Sequence, residues 1–178
     1  MRRIMTAKAS PTSDRSVSRN ERSNATVHVR PVRLSDFGFI RDLSATIDGY
    51  TVPPLYVLWM FRRFEVELCL IAESPTQELV GYMLAMSAGT HSNEIFIWQL
   101  ATTFKGQRLR AGASLARHVR KLARKRAIQR ITFTAVPDSA ATRSIACLAK
   151  EAFGSTLSTG RRLPRSISVK EREFYLLP

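Results

Sequence analysis

A mixed α/β fold of the α+β kind, with one central sheet flanked by helices, follows from three features of the sequence. Short apolar runs rich in β-branched residues come in quick succession between residues 68 and 102, broken by turn-forming clusters. A long stretch after them repeats its apolar residues at helical spacing. A further apolar run follows, and helix and strand signals then alternate towards the end of the chain. Such alternation sets helices against the faces of one sheet. The predicted order is β-α-α-β-β-β-α-β-α-β.

Each element has its own warrant. Residues 1–26 carry six basic and two acidic side chains, several Ser and Thr, and no aromatic residue. They cannot bury enough surface to offset the entropy of ordering. A disordered basic arm is expected there, ahead of one domain over residues 27–178. His28 to Leu34 alternates like a strand and contains Pro31, which edge strands tolerate. Ser35-Asp36 reads as a cap for a helix with Phe37, Ile40, Leu43 and Ile47 on one face. Asp48 to Pro54 is a break, and Leu55 to Phe64 resumes as an apolar helix ending in Arg62 and Arg63.

Leu68–Ala72, Leu79–Met86 and Ile95–Thr102 are predicted strands, with a turn over Ser74–Glu78 that makes an antiparallel hairpin. Alternation in the third would place Phe96, Trp98, Leu100 and Thr102 on one face. Lys105–Arg110 is predicted to be a short polar loop. Ala111–Ala127 is a long helix burying Leu115, Val119, Leu122 and Ala123. Ile131–Val136 is another strand, Pro137-Asp138-Ser139 opens a helix that ends near Gly154, and residues 172–177 form a closing strand.

Composition narrows the class of function. The chain has 178 residues, 44% of them apolar, and 28 Lys and Arg against 14 Asp and Glu, so its net charge is +14. No apolar run approaches the roughly 20 residues of a membrane-spanning helix. The first 26 residues lack the apolar block of roughly 7–15 residues that a secretory signal carries. Cys69 and Cys147 sit in apolar stretches with no second Cys or His at ligand spacing. They are expected to be reduced core thiols of a cytoplasmic protein, with no disulfide and no metal site. The charge calls for an anionic partner. It is concentrated between Glu94 and Asp138, a stretch with no acidic residue that holds Lys105, Arg108, Arg110, Arg117, Arg120, Lys121, Arg124, Lys125, Arg126 and Arg130.

That stretch also holds the clearest chemical signal. Phe96-Ile97-Trp98-Gln99-Leu100-Ala101-Thr102 is followed by Lys105-Gly106-Gln107-Arg108-Leu109-Arg110 and then by a helix. A strand feeding a short loop and a helix start aims unpaired N–H groups and the positive helix end at one point, which suits a pyrophosphate. A plain crossover into a solvated basic helix would carry the same residues.

The chain resembles the Gcn5-related N-acetyltransferase (GNAT) superfamily at this point. The element order is similar, and Lys-Gly-Gln-Arg-Leu-Arg sits where that family has its Arg/Gln-x-x-Gly-x-Gly/Ala pyrophosphate loop. Within the superfamily it is most similar to the diaminobutyrate acetyltransferases of ectoine synthesis. Phe96–Ala101 resembles their Phe-Val-Trp-Gln-Val-Ala strand, and Pro137-Asp138-Ser139-Ala140-Ala141-Thr142 resembles their Pro-Asp-Asn-x-Ala-Ser helix start. The likeness covers roughly residues 27–154. Two departures stand out: Arg108 and Arg110 occupy small-residue positions of the loop, and Tyr50–Leu55 lacks most of the subfamily's polar groups.

The resemblance implies a GNAT domain that moves an acetyl group from acetyl-CoA, its co-substrate, to a small primary amine, with L-2,4-diaminobutyrate the named candidate. It implies cofactor contacts at Leu100, Ala101, Thr102, Lys105, Gly106, Gln107, Arg108, Leu109, Arg110 and Ser139, and acceptor contacts at Trp98 and Gln99. Many members carry a Glu where this chain has Trp98, so Asp48 and Glu94 are the candidate carboxylates, beside the lone loop histidine His91. Many take a proton donor from a Tyr of the last helix, which is absent here, so Tyr50 or Tyr56 stands in. A homodimer is compatible with this reading; no membrane partner is expected, and a nucleic-acid partner is disfavoured because the chain has no recognised DNA- or RNA-reading motif. Two alternatives remain: a degenerate GNAT fold without catalysis, and a basic nucleic-acid-binding protein.

Overall fold

The structure is a computed structural model describing residues 26–178 apart from 88–92, 136, 138, 155, 157 and 163–171. The expected basic arm, save Thr26, lies outside the described residues, as do His91 and Asp138. A seven-stranded sheet runs in the order β1-β2-β3-β4-β5-β7-β6. Its strands are β1 (His28–Pro31), β2 (Cys69–Glu73), β3 (Leu79–Ser87), β4 (Glu94–Thr102), β5 (Arg130–Ala135), β6 (Ser158–Arg162) and β7 (Arg172–Leu176). β4 and β5 pair in parallel, and every other neighbouring pair is antiparallel. Pro31 ends an edge strand, where a missing N–H costs no ladder bond.

Helices α1 (Phe37–Ala45) and α2 (Leu55–Phe64) cover one face of the sheet. There Val32, Phe37, Ile40, Leu58, Phe61, Ile71, Tyr82, Leu84 and Ala101 form one buried cluster. On the other face lies α4 (Ala111–Lys125), whose Leu115, Ala116, Val119, Leu122 and Ala123 pack on Leu68, Leu70, Val80, Met83 and Ile95. α5 (Ala140–Leu148) continues through a π-helical turn (Ala149–Phe153) to Gly154, whose φ is +65°. Ile145, Leu148, Ala149 and Ala152 are its inward stripe. Cys147 falls off that stripe and is exposed, so only Cys69 is the buried thiol expected.

Three other expectations are corrected. Lys105–Arg110 is not a loop. Most of it is α3 (Phe104–Arg108), a single turn capped by Thr103, whose Oγ1 accepts from the Gly106 N–H at 3.0 Å. β6 is an additional strand, paired with β7 and not predicted. The faces of β4 are not set by simple alternation. Its ladder with β3 shifts between Leu84↔Gln99 and Ala85↔Ile97, which leaves Trp98 as an extra residue in a β-bulge. Ile95, Ile97 and Leu100 therefore pack beneath α4, while Trp98 and Ala101 face α1 and α2.

Among the described residues no helix is long and apolar enough to cross a membrane.

Candidate functional site

The bulge coincides with a parting of the sheet. β4 and β5 pair only over Glu94–Ile97 and Arg130–Phe133. Among the described residues, β4 has no ladder partner on that side from Trp98 onward. In the β3/β4 ladder the Thr103 N–H donates to the Val80 carbonyl at 3.0 Å. Bonded and non-bonded pairs alternate in an antiparallel ladder, so Leu100 and Thr102 turn their N–H and C=O groups away from β3 and into the gap. The Tyr50 hydroxyl enters from the break after α1 and donates to the Leu100 carbonyl at 2.7 Å. Burial holds its pKa above the ordinary phenol value, so it carries its proton at neutral pH.

The start of α4 opens beside this gap in the chain. Arg110 takes the left-handed conformation, φ 58° and ψ 35°, and caps the helix without a side-chain hydrogen bond. The first bond of the helix runs from the Ser114 N–H to the Arg110 carbonyl. The N–H groups of Ala111, Gly112 and Ala113 precede it and have no intrahelical acceptor. This is the open helix start expected of a pyrophosphate site, and it lies later in the chain than Lys105–Arg110. Gly106 is glycine for another reason: a Cβ there would stand 2.0 Å from the Val80 carbonyl oxygen. Aligned to the helix start, the family pattern falls on Gln107-Arg108-Leu109-Arg110-Ala111-Gly112. Gln107 and Gly112 then match it, and Arg110 alone replaces a glycine. Gly112 was missed by the sequence reading, and sliding the motif by two residues would have found it.

Charge around this helix start is mixed. Arg110 pairs with Glu151 at 2.5 Å, and Arg117 reaches the same carboxylate at 3.6 Å. Lys105 pairs with Glu78 on the surface. Arg108 and Gln107 are exposed, and Leu109 packs on the core beneath α4. Ser139 caps α5, accepting from the Thr142 N–H at 3.1 Å.

The face towards α1 and α2 carries a buried chain of hydrogen bonds. Ser44 Oγ meets Tyr82 Oη at 2.7 Å, and Tyr82 donates to Gln99 Oε1 at 3.0 Å. Gln99 Nε2 donates to the Thr51 carbonyl at 2.7 Å. Ser44 Oγ also donates to the Ile40 carbonyl at 2.6 Å, so two hydroxyl protons are shared among three contacts. Burial pushes the Tyr82 hydroxyl up to about 12, so it stays protonated. Gln99 is 4% exposed, and its amide is a strut for the segment carrying Asp48 and Tyr50, not an open contact. Trp98 is half-buried and stacks on Phe61, centroids 5.3 Å apart and planes 4° from parallel.

Of the carboxylates, Asp48 is exposed next to this segment. Glu94 is elsewhere. It begins β4, four residues or about 13 Å of strand before Trp98, accepts from Thr132 Oγ1 at 2.6 Å and pairs with Arg130 at 3.2 Å. The structure gathers Tyr50, Trp98, Leu100 and the start of α4 around one gap and does not bring Glu94 to it. Tyr56 points outward on α2, 67% exposed.

Comparisons with known proteins converge on one family. The chain belongs to the acetyltransferase (GNAT) family, which residues 39–154 match. L-2,4-diaminobutyric acid acetyltransferase of Bordetella parapertussis is 28% identical over 116 residues, 65% of this chain and 62% of that protein. The chain therefore matches less than two thirds of that relative. Among solved structures, Ard1 of Thermoplasma volcanium superposes with a TM-score of 0.68 at 16% identity, covering 85% of this chain and 97% of the other. The diaminobutyrate acetyltransferase EctA of Paenibacillus lautus, solved with L-2,4-diaminobutyric acid and coenzyme A, gives 0.64 at 20% identity, covering 87% and 96%. Identities this low establish the shared fold.

Proposed function

We propose that this protein transfers the acetyl group of acetyl-CoA to a small primary amine, and that L-2,4-diaminobutyrate is the acceptor to test first. The observation that carries the reading is the gap where β4 leaves β5 after Ile97, towards which Leu100 and Thr102 turn backbone groups that the β3/β4 ladder does not use. The family match supports acetyl transfer, and the 28% identical relative supports the diamine. The exposed free thiol of Cys147 fits a reducing cytoplasm.

Acetyl-CoA supplies an activated acyl group on a thioester and a pyrophosphate by which to hold it. The N–H groups of Ala111, Gly112 and Ala113, at the positive end of α4, are the donors for that pyrophosphate. The gap residues Leu100 and Thr102 offer amide partners to an extended chain entering between the strands. Transfer forms a C–N bond and breaks a C–S bond. One proton must leave the amine and one must reach the departing sulfur. Tyr50 is the group in the gap that holds a proton, and it is the proposed donor. Asp48 is placed to attract a cationic amine, and Trp98 walls the acceptor side.

Free-thiol release from acetyl-CoA, followed over a panel of amines, tests this. Turnover with a cationic or zwitterionic diamine, and little with a neutral amine, is the expected result. No thiol release with any amine would reject the enzyme reading. A non-catalytic domain is the second reading, and Arg110 favours it, because a side chain stands where the family keeps a glycine. A melting-temperature rise with acetyl-CoA but no turnover would select it.

A further inference from the structure

We infer that the outer face of α4 is a docking surface for the phosphate backbone of a double-stranded nucleic acid, bound without regard to base sequence. This goes beyond acetyl transfer and rests on a different part of the molecule from the helix start. Arg117, Lys121, Arg124 and Lys125 are all exposed. At 3.6 residues per turn they span about 100° of the helix circumference. Like charges at i,i+3 and i,i+4 repel and destabilise a helix, and this face has three such pairs (Arg117 with Lys121, and Lys121 with Arg124 and Lys125) with no acidic residue interspersed.

Other cations of the same stretch have local partners. Arg126 pairs with Glu67, Arg110 with Glu151, and Arg120 turns inward to donate to the Ala152 carbonyl at 3.0 Å and lie 5.9 Å over the Phe153 ring. Among the described residues, Lys121, Arg124 and Lys125 have no carboxylate within ion-pair distance, and Arg117 reaches Glu151 only at 3.6 Å. The stripe continues into a groove of about 630 Å³ between α4 and β1, lined by Arg117, His118, Lys121 and His28. From Arg117 to Lys125 the helix offers positive charge over about 12 Å, eight residue rises of 1.5 Å.

The chemistry of the face selects the partner. No large apolar side chain of α4 is exposed. A protein partner would be expected to meet an apolar or aromatic centre. The absence of aromatic side chains removes the stacking platform that single strands use. Cations alone, spaced about 6 Å apart along one rod, fit a regular row of phosphates, and counterion release is then the driving force.

The test is fluorescence anisotropy of the full chain with a labelled 20-base-pair duplex, as DNA and as RNA, between 50 and 200 mM salt, against polyglutamate of equal charge. The variant neutralises Lys121→Gln, Arg124→Gln and Lys125→Gln together. Duplex binding whose log–log salt slope falls by about 0.9 per removed charge, with at least a tenfold loss of affinity, is expected. Loss in both duplexes supports backbone recognition. An unchanged melting temperature for the variant shows that the fold survives. Unaltered binding by the variant would place the contact elsewhere, such as residues 1–25, and overturn the proposal. Equal affinity for polyglutamate would make the partner an acidic protein and overturn it too. Displacement of the duplex by stoichiometric acetyl-CoA would move the phosphates to the helix start, again against the proposal. Each of these results is independent of whether any amine is acetylated.

Discussion

The side-chain amide of Gln99 donates to the Thr51 carbonyl across 2.7 Å and so fastens the segment between α1 and α2 to the central strand. Its other end accepts from Tyr82, so one buried amide connects three elements. Gln99→Leu leaves both the Thr51 carbonyl and the Tyr82 hydroxyl without this partner, at a cost of about 1–3 kcal/mol. Because Tyr50 rides on the same segment, KM for the amine should rise several-fold while the acetyl-CoA-induced melting shift stays. Steady-state kinetics and thermal melts of the one variant separate the two effects. Equal loss of both would show that Gln99 only stabilises the fold.

Gly106 is the second position with a sharp expectation. A Cβ there would stand 2.0 Å from backbone oxygen, which cannot move aside as a flexible side chain can. Gly106→Ala should push α3 off β3 and cost about 3 kcal/mol or more. Denaturant unfolding reads this directly, and a change under 1 kcal/mol would mean that α3 sits farther from Val80 than described.

Ala127 offers the opposite sign. Its N–H donates to the Arg124 carbonyl at 3.3 Å, and the Ile128 N–H donates to the Ala123 carbonyl at 2.9 Å. These two bonds are the Schellman pair that ends a helix, and Ala127 holds its left-handed position at φ 53°. Ala127→Gly removes a Cβ penalty of roughly 1 kcal/mol, partly offset by added freedom when unfolded. A small stabilisation, seen as a higher melting temperature, is expected.

The pH dependence of stability should centre on Arg30. Its guanidinium donates to Asp36 at 2.6 and 3.0 Å and to Glu73 at 2.7 Å. Burial pushes the Asp36 carboxyl up, but Arg30 and the Arg33 N–H together draw it below its ordinary value. Glu73 is likewise lowered, with burial opposed by Arg30 and His28. A carboxylate lowered in the folded state contributes fully above its unfolded pKa, about 4, and loses that contribution as pH falls through the folded value. The chain should therefore lose stability below about pH 4. Asp36→Asn should cost about 2–3 kcal/mol at pH 7 and flatten that acid limb. Urea midpoints from pH 3 to 7 for both chains check the sign.

How far the sequence carries depends on how much of the pattern is local. α2 was legible residue for residue because Pro53-Pro54 sets its start and its apolar residues recur at helical spacing. β6 was not, because Ser-Thr-Gly-Arg-Arg has no apolar run and exists as a strand only through pairing with β7. α3 was hidden by its brevity and by Gly106, which reads as a loop residue until its contact with Val80 is known. The open start of α4 lies past Lys105–Arg110, where the resemblance sets the pyrophosphate loop, because the left-handed turn at Arg110 leaves no trace in composition. Trp98 and Tyr50 flank the parting of β4 and β5. Glu94 is a candidate carboxylate in the sequence, yet about 13 Å of extended strand separates it from Trp98. The Tyr82 and Ser44 part of the hydrogen-bond chain escaped notice, since two buried hydroxyls look like ordinary core positions.

The bulge at Trp98 reverses the inside and outside of every later residue in β4. Were the same residues to run on without the bulge, strict alternation would turn Gln99 towards Leu115 and Val119, with its amide unpaired in an apolar core. The same flattening would carry Leu100 to the side of α1, where the Tyr50 hydroxyl could no longer meet the same carbonyl. Deleting Trp98 would instead leave Gln99 and Leu100 on their present faces and remove only the ring. What the chain stores there is a count of residues, one more on β4 than on β3.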